Sequence, residues 1–173
     1  MRATQTRMLL PAAIVLGALA ASPALAAEES FINRFDGAWG GGGLVIPDEE
    51  TGPTKVNCSL SGSGEGNHIN VAGTCRAYLI FTRNVKVDVT YRPETGLYTG
   101  TYVGSSAGTA RLSGKRRGDT VRLTLVWPKN VMGDTKADMS ITASKDGRLR
   151  VLVNDKVGKG PVQPITDIAL RNK

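Results

Sequence analysis

Reactive side chains are scarce in this chain. Its 173 residues hold one histidine and two cysteines, and aromatic residues make up only 5%. His68 falls in a Gly/Asn-rich turn with no serine or cysteine placed as its partner, so no nucleophile–base pair is legible. Cys58 and Cys75 lack a CxxC spacing and have a single histidine near them, too few ligands for zinc. No acidic loop has the alternating oxygen ligands that calcium takes. The nearest carboxylate pair in the core half of the chain, Asp134 and Asp138, divides between a Gly-Asp turn and the polar face of a strand, whereas glycoside hydrolysis needs two carboxylates across a cleft. These absences point to a protein without catalytic apparatus, cofactor or metal. Also missing are a sustained helical period, a long low-complexity tract and, beyond the N-terminus, a long apolar run.

What the N-terminus does have is a basic start at Arg2 and Arg7, an apolar stretch over Met8–Ala21 and the small-residue motif Ala24-Leu25-Ala26. This is the order of a secretory signal peptide, with an apolar core too short for a bilayer span. Residues 1–26 are expected to be removed, leaving residues 27–173 as one periplasmic or secreted domain with no transmembrane span. No cysteine stands at the cleavage point to take a lipid anchor. Export favours oxidation, and strand parity puts Cys58 with Val56 and Leu60, and Cys75 with Ile69 and Val71, on apolar faces. A single Cys58–Cys75 disulfide is therefore expected. The net charge is +7, from 22 basic and 15 acidic side chains, of which the leader carries only two arginines. Such a protein is drawn to anionic envelope components. Export and the lack of an interleaved aromatic–basic groove argue against a nucleic-acid partner.

The rest of the chain alternates between apolar and polar positions. Val121, Leu123, Leu125 and Trp127 share one face, with Thr120, Arg122 and Thr124 on the other, and Pro128 is expected to end the ladder. Leu97–Gly104 and Thr109–Gly114 precede this strand to form a meander, the last joined to it by the polar connection Lys115-Arg116-Arg117-Gly118-Asp119. Further strands are read at residues 37–46, 55–61, 67–74, 85–91, 137–143, 149–154 and 165–170. Four consecutive glycines at 40–43 mark a bend or a close approach in the first of them. Ala77–Phe81 is apolar throughout and reads as a short buried strand or a packed connector. Phe31, Ile32 and Phe35, in the leader 27–36, are spaced to form one apolar turn that plugs an end of the fold. The whole pattern predicts an all-β domain, an antiparallel up-and-down barrel or a related meander sandwich of about eight to ten strands. Polar outward faces such as Lys86/Asp88/Arg92 exclude an outer-membrane barrel.

Phe35-Asp36-Gly37-Ala38-Trp39 resembles the Gly-x-Trp opening of lipocalins and other calycins, in which the first strand follows a short helical turn. Thr99-Gly100-Thr101-Tyr102 and Val126-Trp127 resemble the meander of avidin-type barrels. The resemblance implies a barrel with a ligand pocket at one end and Trp39 near its closed end or wall. On the residues themselves, Trp39, Tyr98, Tyr102 and Trp127 are the candidate lining of a small apolar or amphipathic ligand site, with glycines 40–43, 100 and 104 leaving space. The same residues serve equally to fill a solid core. A second candidate is the trio Lys115, Arg116 and Arg117 at a hairpin tip, with Lys129 and Lys136 nearby, facing an anionic envelope component. A protein partner could also pair with the edge strands of an open sheet.

Overall fold

The computed structural model describes residues 23–78 and 80–173. The basic start and apolar stretch of the expected signal peptide lie outside the described residues. The expected cleavage point, after Ala26, falls in the exposed first half of a helix, α1 (Pro23–Ile32). A single 3-10 turn (Asn33–Phe35) leads from α1 into ten strands. These are β1 (Gly37–Val45), β2 (Thr54–Glu65), β3 (His68–Ala77), β4 (Phe81–Arg92) and β5 (Leu97–Val103), followed by β6 (Ala110–Arg117), β7 (Thr120–Val131), β8 (Asp134–Ala143), β9 (Arg148–Lys156) and β10 (Val162–Asn172).

Each strand pairs antiparallel with the next, and β1 pairs with β10, so the sheet closes into an up-and-down barrel. Alternation is the reason: Val121, Leu123, Leu125 and Trp127 are buried inside while Arg122 and Thr124 face solvent, and β8 repeats this with Ala137, Met139 and Ile141. The glycine run of β1 serves closure. A Cβ at Gly43 would stand 1.8 Å from the Asp167 carbonyl oxygen of β10, and one at Gly42 would stand 2.2 Å from that of Val56 on β2. Cys58 and Cys75 face each other in register across β2 and β3 and form the disulfide.

Four expectations change. Closure leaves no unpaired edge among the ten strands, so strand addition by a partner loses its template. Pro128 does not end β7, which runs to Val131, but pairing to β8 lapses between Val126 and Val131, as a residue without an N–H requires. The turn between β6 and β7 is only Gly118-Asp119, with Gly118 at a φ of +60°. Lys115, Arg116 and Arg117 are therefore strand residues paired to Arg122, Val121 and Thr120, and they alternate between faces instead of clustering at a tip. Finally, the expected burial of Ala77–Phe81 holds only for Ala77, which ends β3 packed against the core; Tyr78, Ile80 and Phe81, the last opening β4, project into solvent.

The antiparallel order gives the barrel two unlike ends. The turns after β2, β4, β6 and β8 gather at the end that α1 and the 3-10 turn cover. The connections after β1, β3, β5, β7 and β9 gather at the other end, which is open only in that no helix covers it, since Ile46, Ala107, Met132 and Val157 of these connections pack against the core.

Candidate functional site

The covered end is built for closure. Glu28, Phe31, Ile32 and Phe35 recur at helical spacing and point into the barrel, where all four are buried. Backbone fit seats them: a Cβ on Gly62 or Gly64 would lie 1.9 Å from the carbonyl oxygen of Phe35 or Ile32. Phe31 packs edge-on to Phe35 and Tyr98 and lies under the Arg116 guanidinium at 4.9 Å. Arg116 holds the Glu28 carboxylate in a two-pronged ion pair, with Nη2 to Oε2 at 2.6 Å and Nε to Oε1 at 2.9 Å, and the Tyr98 hydroxyl donates to the same carboxylate. Burial alone would raise the Glu28 carboxyl, but the Arg116 and Tyr98 hydrogen bonds outweigh it and hold it below the usual glutamate range. Burial and then the Glu28 hydrogen bond push the Tyr98 phenol far above its ordinary value. Outside the barrel, Arg34 reaches Asp119 at 2.6 Å and the Ala143 carbonyl at 3.1 Å, and the Trp39 indole N–H donates to the Phe35 carbonyl at 3.0 Å. Every polar group named here has a partner.

The open end differs. Asp155 continues the inward parity of Leu149, Val151 and Val153 on β9, and it is only 3% exposed. Its Oδ1 accepts from the Lys156 backbone N–H at 2.7 Å. Its Oδ2 has no hydrogen-bond partner among the described residues, and neither has Nε1 of buried Trp127. The Trp127 indole N–H faces the carboxylate and favours its charged form as a weak hydrogen bond, although neither group has a well-formed partner. Burial dominates, assisted by the charges of Asp134 and Asp138, and raises the Asp155 carboxyl above its usual range. Tyr102 packs edge-on against Trp127, with ring centroids 6.0 Å apart, and burial raises its phenol, an effect that the charge of Arg83 partly offsets. A donor and an acceptor without well-formed hydrogen bonds thus sit side by side next to two aromatic rings, buried near the end of the barrel opposite the plug.

The four candidate lining aromatics therefore divide. Trp39 and Tyr98 belong to the plug, and Tyr102 and Trp127 to the open end. Gly104 does not leave a gap, because the Tyr102 hydroxyl occupies the place of its missing side chain. Two shallow depressions on the barrel wall take in Gly40, Gly41 and Gly100 but none of the four aromatics. The basic trio divides too: Arg116 is committed to Glu28, leaving Lys115 and Arg117 exposed, while Lys129 and Lys136 stand at the opposite end. His68 opens β3 and bonds Asp88 at 2.9 Å on the outer wall, and this contact, with Lys86, lowers the Asp88 carboxyl to about 2.

Sequence reasoning missed Glu28 and Asp155. Glu28 was legible as the position three before Phe31 and four before Ile32, on the plugging face of a helix. Asp155 was legible as a carboxylate on inward parity, had the strand been continued past Asn154.

These features define a closed ten-stranded antiparallel barrel with a helical plug at one end, which fits a calycin-like barrel in general. The fold is similar to the crystal structure of Rv2717c from M. tuberculosis, with a TM-score of 0.64 at 18% identity, over 88% of this chain and 98% of that one. Neither a protein-family model nor a curated protein sequence matches the chain.

Proposed function

We propose that this is a non-catalytic, exported binding protein that holds a small apolar or amphipathic molecule in the open end of its barrel. One observation carries the reading: Oδ2 of Asp155 and Nε1 of Trp127 are both buried and near each other, yet neither has a well-formed hydrogen bond. A buried polar group left unpaired costs about 1–3 kcal/mol, so two of them side by side are a poor solution for stability alone. A ligand amide or carboxylic acid group presents a matching acceptor and donor, and its apolar part can lie on the Tyr102 and Trp127 rings. The calycin resemblance agrees, since it implies a pocket at one end. The Cys58–Cys75 disulfide is compatible with an extracytoplasmic protein, and no helix among the described residues is long and apolar enough to cross a membrane. The alternative, an anionic envelope component held by the basic trio, is weakened by the loss of Arg116 to Glu28.

The test is the mass of the protein purified gently from its cells, native against denatured. A reproducible extra mass lost on denaturation is expected, and its value identifies the ligand. A native mass equal to that of the chain alone, unchanged after incubation with fatty acids and fatty amides, would remove the carrier reading.

A further inference from the structure

A different observation carries a second site. Tyr78, Ile80 and Phe81 are 68%, 77% and 65% exposed, three large apolar side chains within four positions at the rim of the open end. Single exposed apolar residues need no explanation, but a contiguous projecting group does. Stability does not supply one, for Tyr78 also holds a left-handed backbone, φ 49°, that a side-chain-bearing residue adopts at a cost.

Charge indicates the partner. Arg76 and Arg83 frame the loop, both exposed and without an ion pair among the described residues. No acidic residue occurs in the sequence between Glu65 and Asp88. The neighbouring connection, residues 104–109, is uncharged. The other neighbour, between β1 and β2, carries the acids Asp48, Glu49 and Glu50, of which the Glu49 carboxylate stands on the far side, at Gly158 of the β9–β10 connection, and Asp48 Oδ1 accepts from the backbone N–H groups of Glu50 and Thr51. Apolar and aromatic side chains at a tip, ringed by guanidinium groups, match the layering of a bilayer surface, where acyl chains lie beneath a belt of headgroup phosphates. A dimer face is disfavoured, because three side chains on one narrow loop fall well short of the roughly 1,000 Å² that a stable interface buries.

We infer that the β3–β4 loop is a membrane-docking tip that sets the open end of the barrel on an anionic lipid bilayer, with Ile80 and Phe81 in the acyl boundary and Arg76 and Arg83 on phosphates. The tip stands on exposure and charge and does not depend on what the barrel holds.

The experiment places a reporter at the tip. The variant Phe81→Trp is mixed with vesicles of phosphatidylcholine alone, or of phosphatidylcholine and phosphatidylglycerol in roughly a 2:1 ratio. Its emission, taken as the difference from the parent protein, should shift to the blue and be quenched by brominated acyl chains on the anionic vesicles only. A tryptophan placed at the plugged end, Glu94→Trp, should not respond. Ile80→Asp should lower binding to the anionic vesicles at least about tenfold with an unchanged melting temperature, and Arg76→Glu with Arg83→Glu should abolish the response of the tip reporter. Emission from Phe81→Trp that stays water-like would overturn the inference. So would quenching at Glu94→Trp instead, which would mean attachment from the plugged end, or sedimentation showing a dimer that Ile80→Asp dissolves.

Discussion

Two buried carboxylates, 127 residues apart in sequence, meet opposite fates in this barrel. Glu28 accepts from Arg116 and Tyr98, and its pKa is held down; Asp155 has one free oxygen, and its pKa is pushed up. The signs of their pH effects follow. A depressed carboxyl contributes stability above the unfolded value of about 4.3 and loses it as pH falls through the lower folded value. A raised carboxyl does the reverse: the unfolded chain gives up its proton first, so stability falls as pH rises from about 3.9 through the folded value. Asp155→Asn should therefore stabilise the protein at pH 7, and the gain should vanish in acid, as urea titrations at several pH values would read. The same substitution should weaken ligand uptake, the exchange of stability for function expected of a binding group. Arg116→Ala should cost about 2–3 kcal/mol at neutral pH by leaving Glu28 buried without its cation. Combining it with Glu28→Gln should recover part of that loss, and a fully additive double variant would show that the pair is not coupled.

At the scale of elements, the plug is held by shape and charge together. Burying Phe31, Ile32 and Phe35 contributes about 1.5–3 kcal/mol each, relative to leaving them exposed. They reach that position because Gly62 and Gly64 let the carbonyls of Phe35 and Ile32 lie directly on β2. Gly64→Val should push the plug off the barrel, destabilise the fold by about 1–3 kcal/mol and expose apolar rings to a hydrophobic dye. Unchanged dye binding and melting would mean that the plug does not depend on this contact. The β6–β7 hairpin carries the opposite lesson. A turn of two residues rather than five moves three cations into a strand, and the pleat then sends Arg116 inward to Glu28 and Lys115 and Arg117 outward.

The whole molecule is one closed sheet whose core is continuous from the plug to the mouth. Its covalent staple joins β2 to β3 across a sequence separation of 17, next to the strand that closes the barrel. Replacing Cys58 and Cys75 by serine should cost about 3 kcal/mol in the chain-entropy account, and so lower the urea midpoint; reductant should lower the midpoint of the parent protein and leave that of the variant unchanged. The proposed ligand site and the exposed loop lie at the same end, so docking of the loop on a bilayer would bring that site to a surface able to supply an amphipathic molecule.

The sequence by itself put the strand count at about eight to ten and determined the face that strands such as β7 bury and the disulfide. All three follow from local alternation: Val121 to Trp127 can bury one face only, and Cys58 and Cys75 both fall on that inward parity. It also determined that Phe31, Ile32 and Phe35 form an apolar turn at one end of the fold. Whether the sheet closes is not local, because it depends on β1 meeting β10 across the entire chain. The tertiary structure alone decided that Arg116 faces Glu28, that Trp39 and Tyr98 part from Tyr102 and Trp127, and that Tyr78, Ile80 and Phe81 face water although their composition reads as core. The physical reason is the same in each case. Parity assigns a side chain to the inside or the outside, whereas its height along the barrel, and so its neighbours and solvent, is set by register and closure that no short window of sequence contains.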